Sequence, residues 1–200
     1  MNENIQKLIN DSLPIMVSEV LAHAKELKLA SPLARLKFWY YDTCAPKCYF
    51  IGSALTEADR VRILRDDGVN AAYNLWDGSG SIEITVGLKD ESQCTPYFAQ
   101  AYEMMGLSAQ ERENANLTEQ ANEVSRLLAQ ALSRQLNKLD WSEVCSVTDD
   151  FIVYAQNGTD RGCDCYEDMT ASVPKQKLEL LIARGLMGEG SNYDSIEITN

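Results

Sequence analysis

The segment "DDFIVYAQN", residues 149–157, constrains the fold most. Phe151 to Ala155 form an unbroken apolar run, rich in aromatic and branched side chains and opened by two aspartates. Such a run reads as a strand buried on both faces rather than one with a solvent side. A strand of that kind needs cover above and below, so the rest of the chain must supply helices on each side of a sheet.

The helices are visible in the spacing. "LTEQANEVSRLLAQALSRQLNKLDW" carries Val124, Leu127, Leu128, Leu132, Leu136 and Leu139 on one stripe, with Thr118 as its expected cap. Near the N-terminus, Ile5, Leu8 and Ile9, then Val17, Val20, Leu21, Ala24 and Leu27, keep helical spacing around Pro14. Either one kinked helix or a second helix capped by Ser12 satisfies that pattern. Thr56 is placed to cap "EADRVRILRDDG", which stops at Gly68, and "SVPKQKLELLIARG" starts at Pro174 and stops at Gly185. "TPYFAQAYEMMG" predicts a further helix from Pro96 to Gly106.

Strands are expected in "LARLKFWYYD" and "CYFIGSAL", joined through "TCAPK" as a hairpin. Ile82, Ile84 and Val86 alternate with Glu83 and Thr85 after the turn Asp77–Gly80, which predicts a half-buried strand. The stretch from Gln110 to Asn116 is polar and reads as an exposed loop. Irregular alternation of helices and strands, with no internal repeat in view, predicts one α+β domain over 1–200, its mixed or antiparallel sheet flanked by helices.

Composition narrows the function classes. With 45% hydrophobic and 24% charged residues the chain is expected to build a core. Its 30 acidic residues against 18 Lys and Arg give a net charge of -12, a field that repels nucleic acid and anionic lipid and favours basic partners. "MNENIQKLIN" lacks the basic start and apolar stretch of a secretory signal. No apolar run approaches the roughly 20 residues that span a bilayer. A cytoplasmic setting is expected, in which the sequons at Asn10, Asn116 and Asn157 are idle and the six cysteines are free thiols.

Two cysteine pairs, Cys44 with Cys48 and Cys163 with Cys165, supply the four ligands a zinc module needs. The second spacing is tight, the pairs lie far apart in sequence, and His23 is the only histidine, so free thiols are the preferred reading and no cofactor is expected. Cys-Asp-Cys lacks the spacing of a redox pair, and its aspartate would raise a thiol pKa. His23 sits between Val20 and Ala24 as an ordinary packed or surface residue, which leaves a cysteine nucleophile without a base. "GSGS" at 78–81 has no lysine or helix behind it and is a turn rather than a phosphate loop. Trp39, Trp76 and Trp141 lie among apolar neighbours and are expected in the core. Nothing here predicts an enzyme.

Charge distribution carries more. Residues 1–100 hold 13 acids and 10 bases, and residues 101–200 hold 17 and 8, so most of the excess lies in the second half. Between 140 and 168, Asp140, Glu143, Asp149, Asp150, Asp160, Asp164, Glu167 and Asp168 face only Arg161. A concentration of like charge costs self-repulsion and steers a cationic partner. The expected steering set is Asp149, Asp150, Asp160, Asp164, Glu167 and Asp168, with the paired aspartates diverging at solvated strand and loop ends. A solvated face serving solubility alone is the competing expectation.

The stretch "VTDDFIVYAQNGTDRGCDCYEDMTASVPKQKLELLIARGLM", 147–187, resembles the C-terminal part of a bacterial family of uncharacterised proteins, domain-of-unknown-function family 4303. The shared pattern is an acidic pair leading an aromatic strand, an acidic loop, then "SVPKQKLELLIARGL"; the first helix, "LKFWYYD" and the length are also similar. The resemblance implies a bacterial, cytoplasmic protein without established activity, reminiscent of small acidic proteins that neutralise toxins. It carries over no catalytic residue. The expected role is a non-enzymatic immunity-type protein whose acidic face occludes a basic toxin; a zinc module and a structural subunit of a larger assembly are the alternatives.

Overall fold

The computed structural model describes residues 3–40, 50–76, 80–86, 118–158 and 165–187. They build an α+β fold on a four-stranded mixed sheet. In chain order the elements are α1 (Glu3–Glu26), β1 (Leu33–Tyr40), β2 (Phe50–Thr56), α2 (Glu57–Asp66), α3 (Ala71–Trp76), β3 (Ile82–Val86), α4 (Thr118–Leu136), β4 (Val147–Asn157), α5 (Cys165–Ser172) and α6 (Lys175–Ala183). Short 3₁₀ turns lie at Gly68–Asn70 and Trp141–Glu143.

The strand order is β3-β2-β1-β4. β1 and β2 pair antiparallel, as the expected hairpin requires, and β2 and β3 do the same. β4 joins β1 in parallel, which makes the sheet mixed. Helices cover both faces, so the continuous apolar run of β4 is buried on each side, as its sequence demands. On one face Phe151, Val153 and Ala155 join Leu36, Phe38, Phe50, Ala54 and Ile84 beneath α1 and α4. On the other, Ile152 and Tyr154 join Leu55 and the inner residues of α2, α3 and α6.

Burial of the second face has a consequence for β1, where Arg35 and Lys37 alternate with Leu36 and Phe38. That alternation would place both cations in solvent on a one-sided sheet. Here Arg35 and Lys37 are fully buried. Lys37 donates to the Trp76 carbonyl at 3.1 Å and sits 4.2 Å from the Trp39 ring centre, a cation–π contact that offsets part of its desolvation. Trp76 and Trp141 are core residues, as expected, and Trp39 is half-buried.

Local signals acted as read at most element ends. α1 is one helix through an exposed Pro14, and Ser12 is buried inside it, donating to the Ile9 carbonyl instead of capping a second helix. Thr56 caps α2 by accepting from the Asp59 amide at 3.2 Å. Gly68 and Gly185 close α2 and α6 with φ of 52° and 66°, a left-handed region where a side chain would be strained. The predicted helix at 96–106, the polar loop at 110–116 and most of the turn at 77–80 lie outside the described residues, as does the side chain of Thr118.

β4 is an edge strand, and its outer backbone groups are occupied by side chains. Lys177 donates to the carbonyls of Asp149 and Phe151 at 2.8 and 3.1 Å. Asn137 donates to the Val153 carbonyl at 2.6 Å and accepts from the Val153 amide at 2.9 Å, and Asp168 accepts from the Asn157 amide at 3.0 Å. An edge treated in this way does not recruit another strand. Asn137→Ala strips three backbone groups, the Val153 amide and the Val153 and Ser172 carbonyls, of a partner and is expected to cost about 2–3 kcal/mol in stability. Urea unfolding checks this: the midpoint falls while the slope stays unchanged.

Candidate functional site

The polar centre of the described structure lies where β4 begins. Its register against β1 jumps from Leu33↔Val147 to Arg35↔Ile152, so β4 spends three more residues than β1 over this stretch. That irregularity overturns the expected divergence of Asp149 and Asp150. Both carboxylates meet one guanidinium: Arg184, just past α6, donates from Nη1 to Asp149 and Asp150 at 2.7 Å each and from Nη2 to Asp149 at 2.6 Å.

Asp150 is the deeper of the two, with no exposed surface, and is not the solvated strand end expected from sequence. Its Oδ2 also accepts from Arg60 of α2 at 2.9 Å, and its Oδ1 accepts from the Thr148 hydroxyl at 2.6 Å. Burial raises its pKa, but the bonds from Thr148, Arg184 and Arg60 outweigh that and hold it below the ordinary value. Arg60 turns its second nitrogen to Glu57 at 2.5 Å. The Asp149 side chain is 72% exposed, yet the bond from Arg184 holds its pKa down at about 2. Lys177 lies alongside with its pKa lowered by burial, against the pull of Asp150 and Asp149. Glu57, Asp149 and Asp150 thus balance Arg60, Lys177 and Arg184.

A cavity of about 530 Å³ opens beside this node, lined by Asn137, Trp141, Cys145, Ser146, Thr148 and Lys177 among others. Three of its polar side chains are already engaged. Asn137 serves Val153 and Ser172, Thr148 serves Asp150, and Lys177 serves two carbonyls. Burial pushes the Cys145 thiol above its ordinary pKa, away from the thiolate a nucleophile requires. The arrangement suits fastening three elements together more than it suits chemistry.

The remaining predicted residues fall elsewhere. Asp160 and Asp164 lie outside the described residues. Glu167 and Asp168 belong to the first turn of α5, a helix where an acidic loop was expected. Glu167 is exposed, whereas Asp168 is turned inward and accepts from the Tyr40 hydroxyl at 3.1 Å and the Asn157 amide. Burial raises the Asp168 pKa. From Asp149 to Asn157 the strand covers about 26 Å at ~3.3 Å per residue, so Asp149 and Asp150 lie at one end of β4 and Asp168, bonded to Asn157, lies at the other.

Cys44, Cys48 and Cys163 lie outside the described residues, and so does the side chain of Cys165 at the start of α5. Among the described residues no group of three or more His, Cys, Asp or Glu is placed to hold a metal. No described helix is long and apolar enough to cross a membrane. For a structural subunit, the exposed apolar surface to note is Val61 and Tyr73, at 53% and 49%. Arg60, Lys177 and Arg184 were missed from sequence; the one available signal was Arg60 three residues before Ile63, on the buried stripe of α2.

Asp150→Ala leaves Arg60 buried without its main carboxylate and is expected to cost about 3–5 kcal/mol, read by chemical denaturation. The wild-type stability profile should carry a matching acid limb. Both aspartates have folded pKa values below their ordinary 3.8, so their stabilisation is present above that value and is lost as pH falls from about 3.8 toward about 2. Compared with known protein families, curated proteins and solved structures, the chain matches none.

Proposed function

We propose that this protein is a non-enzymatic acidic binding protein whose partner is basic. The observation that carries the reading is where the charge is left over. The node balances three acids with three bases, so the full excess of 30 acidic over 18 basic residues falls on the rest of the chain. An unbalanced surface charge of this size raises the association rate of a cationic partner and costs stability through self-repulsion. The engagement of Asn137, Thr148 and Lys177 in the cavity wall and the raised pKa of Cys145 favour binding over catalysis.

Within this reading, Asp150 and Asp168 are structural and Asp149 is tied to Arg184, so the steering falls to carboxylates that remain exposed. Asp140 and Glu143 form one such pair at the mouth of β4, and Glu167 lies toward the other end. A bacterial immunity-type role, with a basic nuclease as the toxin, and kinship with the uncharacterised bacterial family belong to the same proposal. A nuclease fits because its own substrate is polyanionic.

Stopped-flow association with a basic nuclease domain at about 0.01 M and about 0.15 M salt tests it. Wild-type association should slow as salt rises. Asp140→Lys with Glu143→Lys should slow it by about tenfold at low salt and flatten the salt dependence, with a stability loss of about 1 kcal/mol as Asp140 gives up its bond from the Ser142 amide. Association that is insensitive to salt and to these reversals would contradict the proposal.

A further inference from the structure

The cavity of about 530 Å³ has a lining of mixed charge, which its place in the fold explains. It lies where the connection from α4 to β4 meets the first turn of α6, along the outer edge of β4. Asp140 comes from the connection and Lys177 from the helix. The volume falls within the roughly 300–1,000 Å³ of small-molecule sites.

Each charge is held in place. The exposed Asp140 caps the 3₁₀ turn at Trp141–Glu143 by accepting from the Ser142 amide at 2.9 Å, and the bonds from Ser142 hold its pKa below the ordinary value. It is therefore an anion at neutral pH. An ammonium carries three N–H donors, and Lys177 spends two of them on the carbonyls of Asp149 and Phe151. Burial lowers the Lys177 pKa, but the pull of Asp150 and Asp149 opposes that and favours the cation. Because the neighbouring node is neutral as a whole, Lys177 acts on a ligand at hydrogen-bond range, through its third donor.

The rest of the lining is largely apolar. Trp141 and Phe151 meet edge to face at 5.0 Å. The Trp141 indole N–H is satisfied by the Leu136 carbonyl at 2.9 Å, so its ring offers only apolar surface. Leu139 and Val147, both half-buried, extend that surface.

We propose that this cavity binds a small zwitterion with an apolar side chain, a free amino acid or a short peptide, whose carboxylate takes the third donor of Lys177 and whose ammonium meets Asp140. A simple anion would be set against the Asp140 carboxylate, and a simple cation against Lys177. A zwitterion pairs with both, and its side chain has Trp141, Phe151, Leu139 and Val147 to lie on. Binding belongs to the chain alone, so it stands or falls separately from recognition of a basic protein.

Amide chemical shifts of the full chain, titrated with L-phenylalanine and with L-alanyl-L-phenylalanine, test this. At least one probe should move the Trp141, Cys145 and Ser146 amides saturably, with a dissociation constant below about 1 mM, and the tighter probe tells a free amino acid from a peptide. Derivatives of that probe with the amine acetylated or the carboxylate amidated lack one charge and should bind about tenfold or more weakly. Asp140→Asn retains a capping side chain and should remove the penalty for acetylation while leaving that for amidation. Ser146→Tyr, which fills the cavity from an exposed position, should abolish binding. No saturable shift with either probe, equal affinity for the blocked derivatives, an acetylation penalty that persists in Asp140→Asn, or full binding in Ser146→Tyr would overturn the proposal.

Discussion

The carboxylate of Asp150 is the point on which the described structure turns. Among the described residues it is the one fully buried acid, and it is bonded by Thr148 beside it in β4 and by two groups distant in sequence, Arg60 of α2 and Arg184 beyond α6. Each guanidinium is tied down again, by Glu57 and by Asp149. A buried ion pair of this type adds little net stability over apolar packing of the same volume, but breaking it strands a charge. It therefore fixes where α2 and α6 sit on the second face of the sheet.

That fixing permits the rest of the second face. α2, α3 and α6 seal it completely enough to bury Arg35 and Lys37 in the middle strand, where Lys37 is held by the Trp76 carbonyl and the Trp39 ring. The same region keeps Lys177 along the edge of β4. Because the node is neutral within itself, it does not project the acidic field of the chain. Among the described residues Asp140, Glu143 and Glu167 are exposed, and the proposed recognition of a basic partner draws on carboxylates of this kind.

What could be read from the sequence was what short-range periodicity encodes. The leucine stripe of α4, the alternation of β3, the Thr56 cap and the glycines after α2 and α6 each lie within a few residues of their partners. The doubly buried β4 was legible because its apolar run admits no solvent side. The node was not legible: Arg60 is 90 residues from Asp150, and the register jump that turns Asp149 and Asp150 toward one guanidinium leaves no mark in the composition. α5 was hidden by its acidic first turn, although Tyr166, Met169 and Val173 keep a helical apolar spacing that would have revealed it. Asp149 and Asp168 are near in sequence, yet β4 sets them toward opposite ends of the strand, a separation that a charge count along the chain does not register.

The most direct measurement of this account is a carbon-detected NMR titration of the Asp149 and Asp150 carboxylates in the folded chain. If Arg184, Arg60 and Thr148 hold them as described, both titrate below the ordinary 3.8, with Asp149 near about 2. Midpoints at or above the ordinary value for both would show that the arginines do not engage these carboxylates, and the organising role assigned to Asp150 would fall with them.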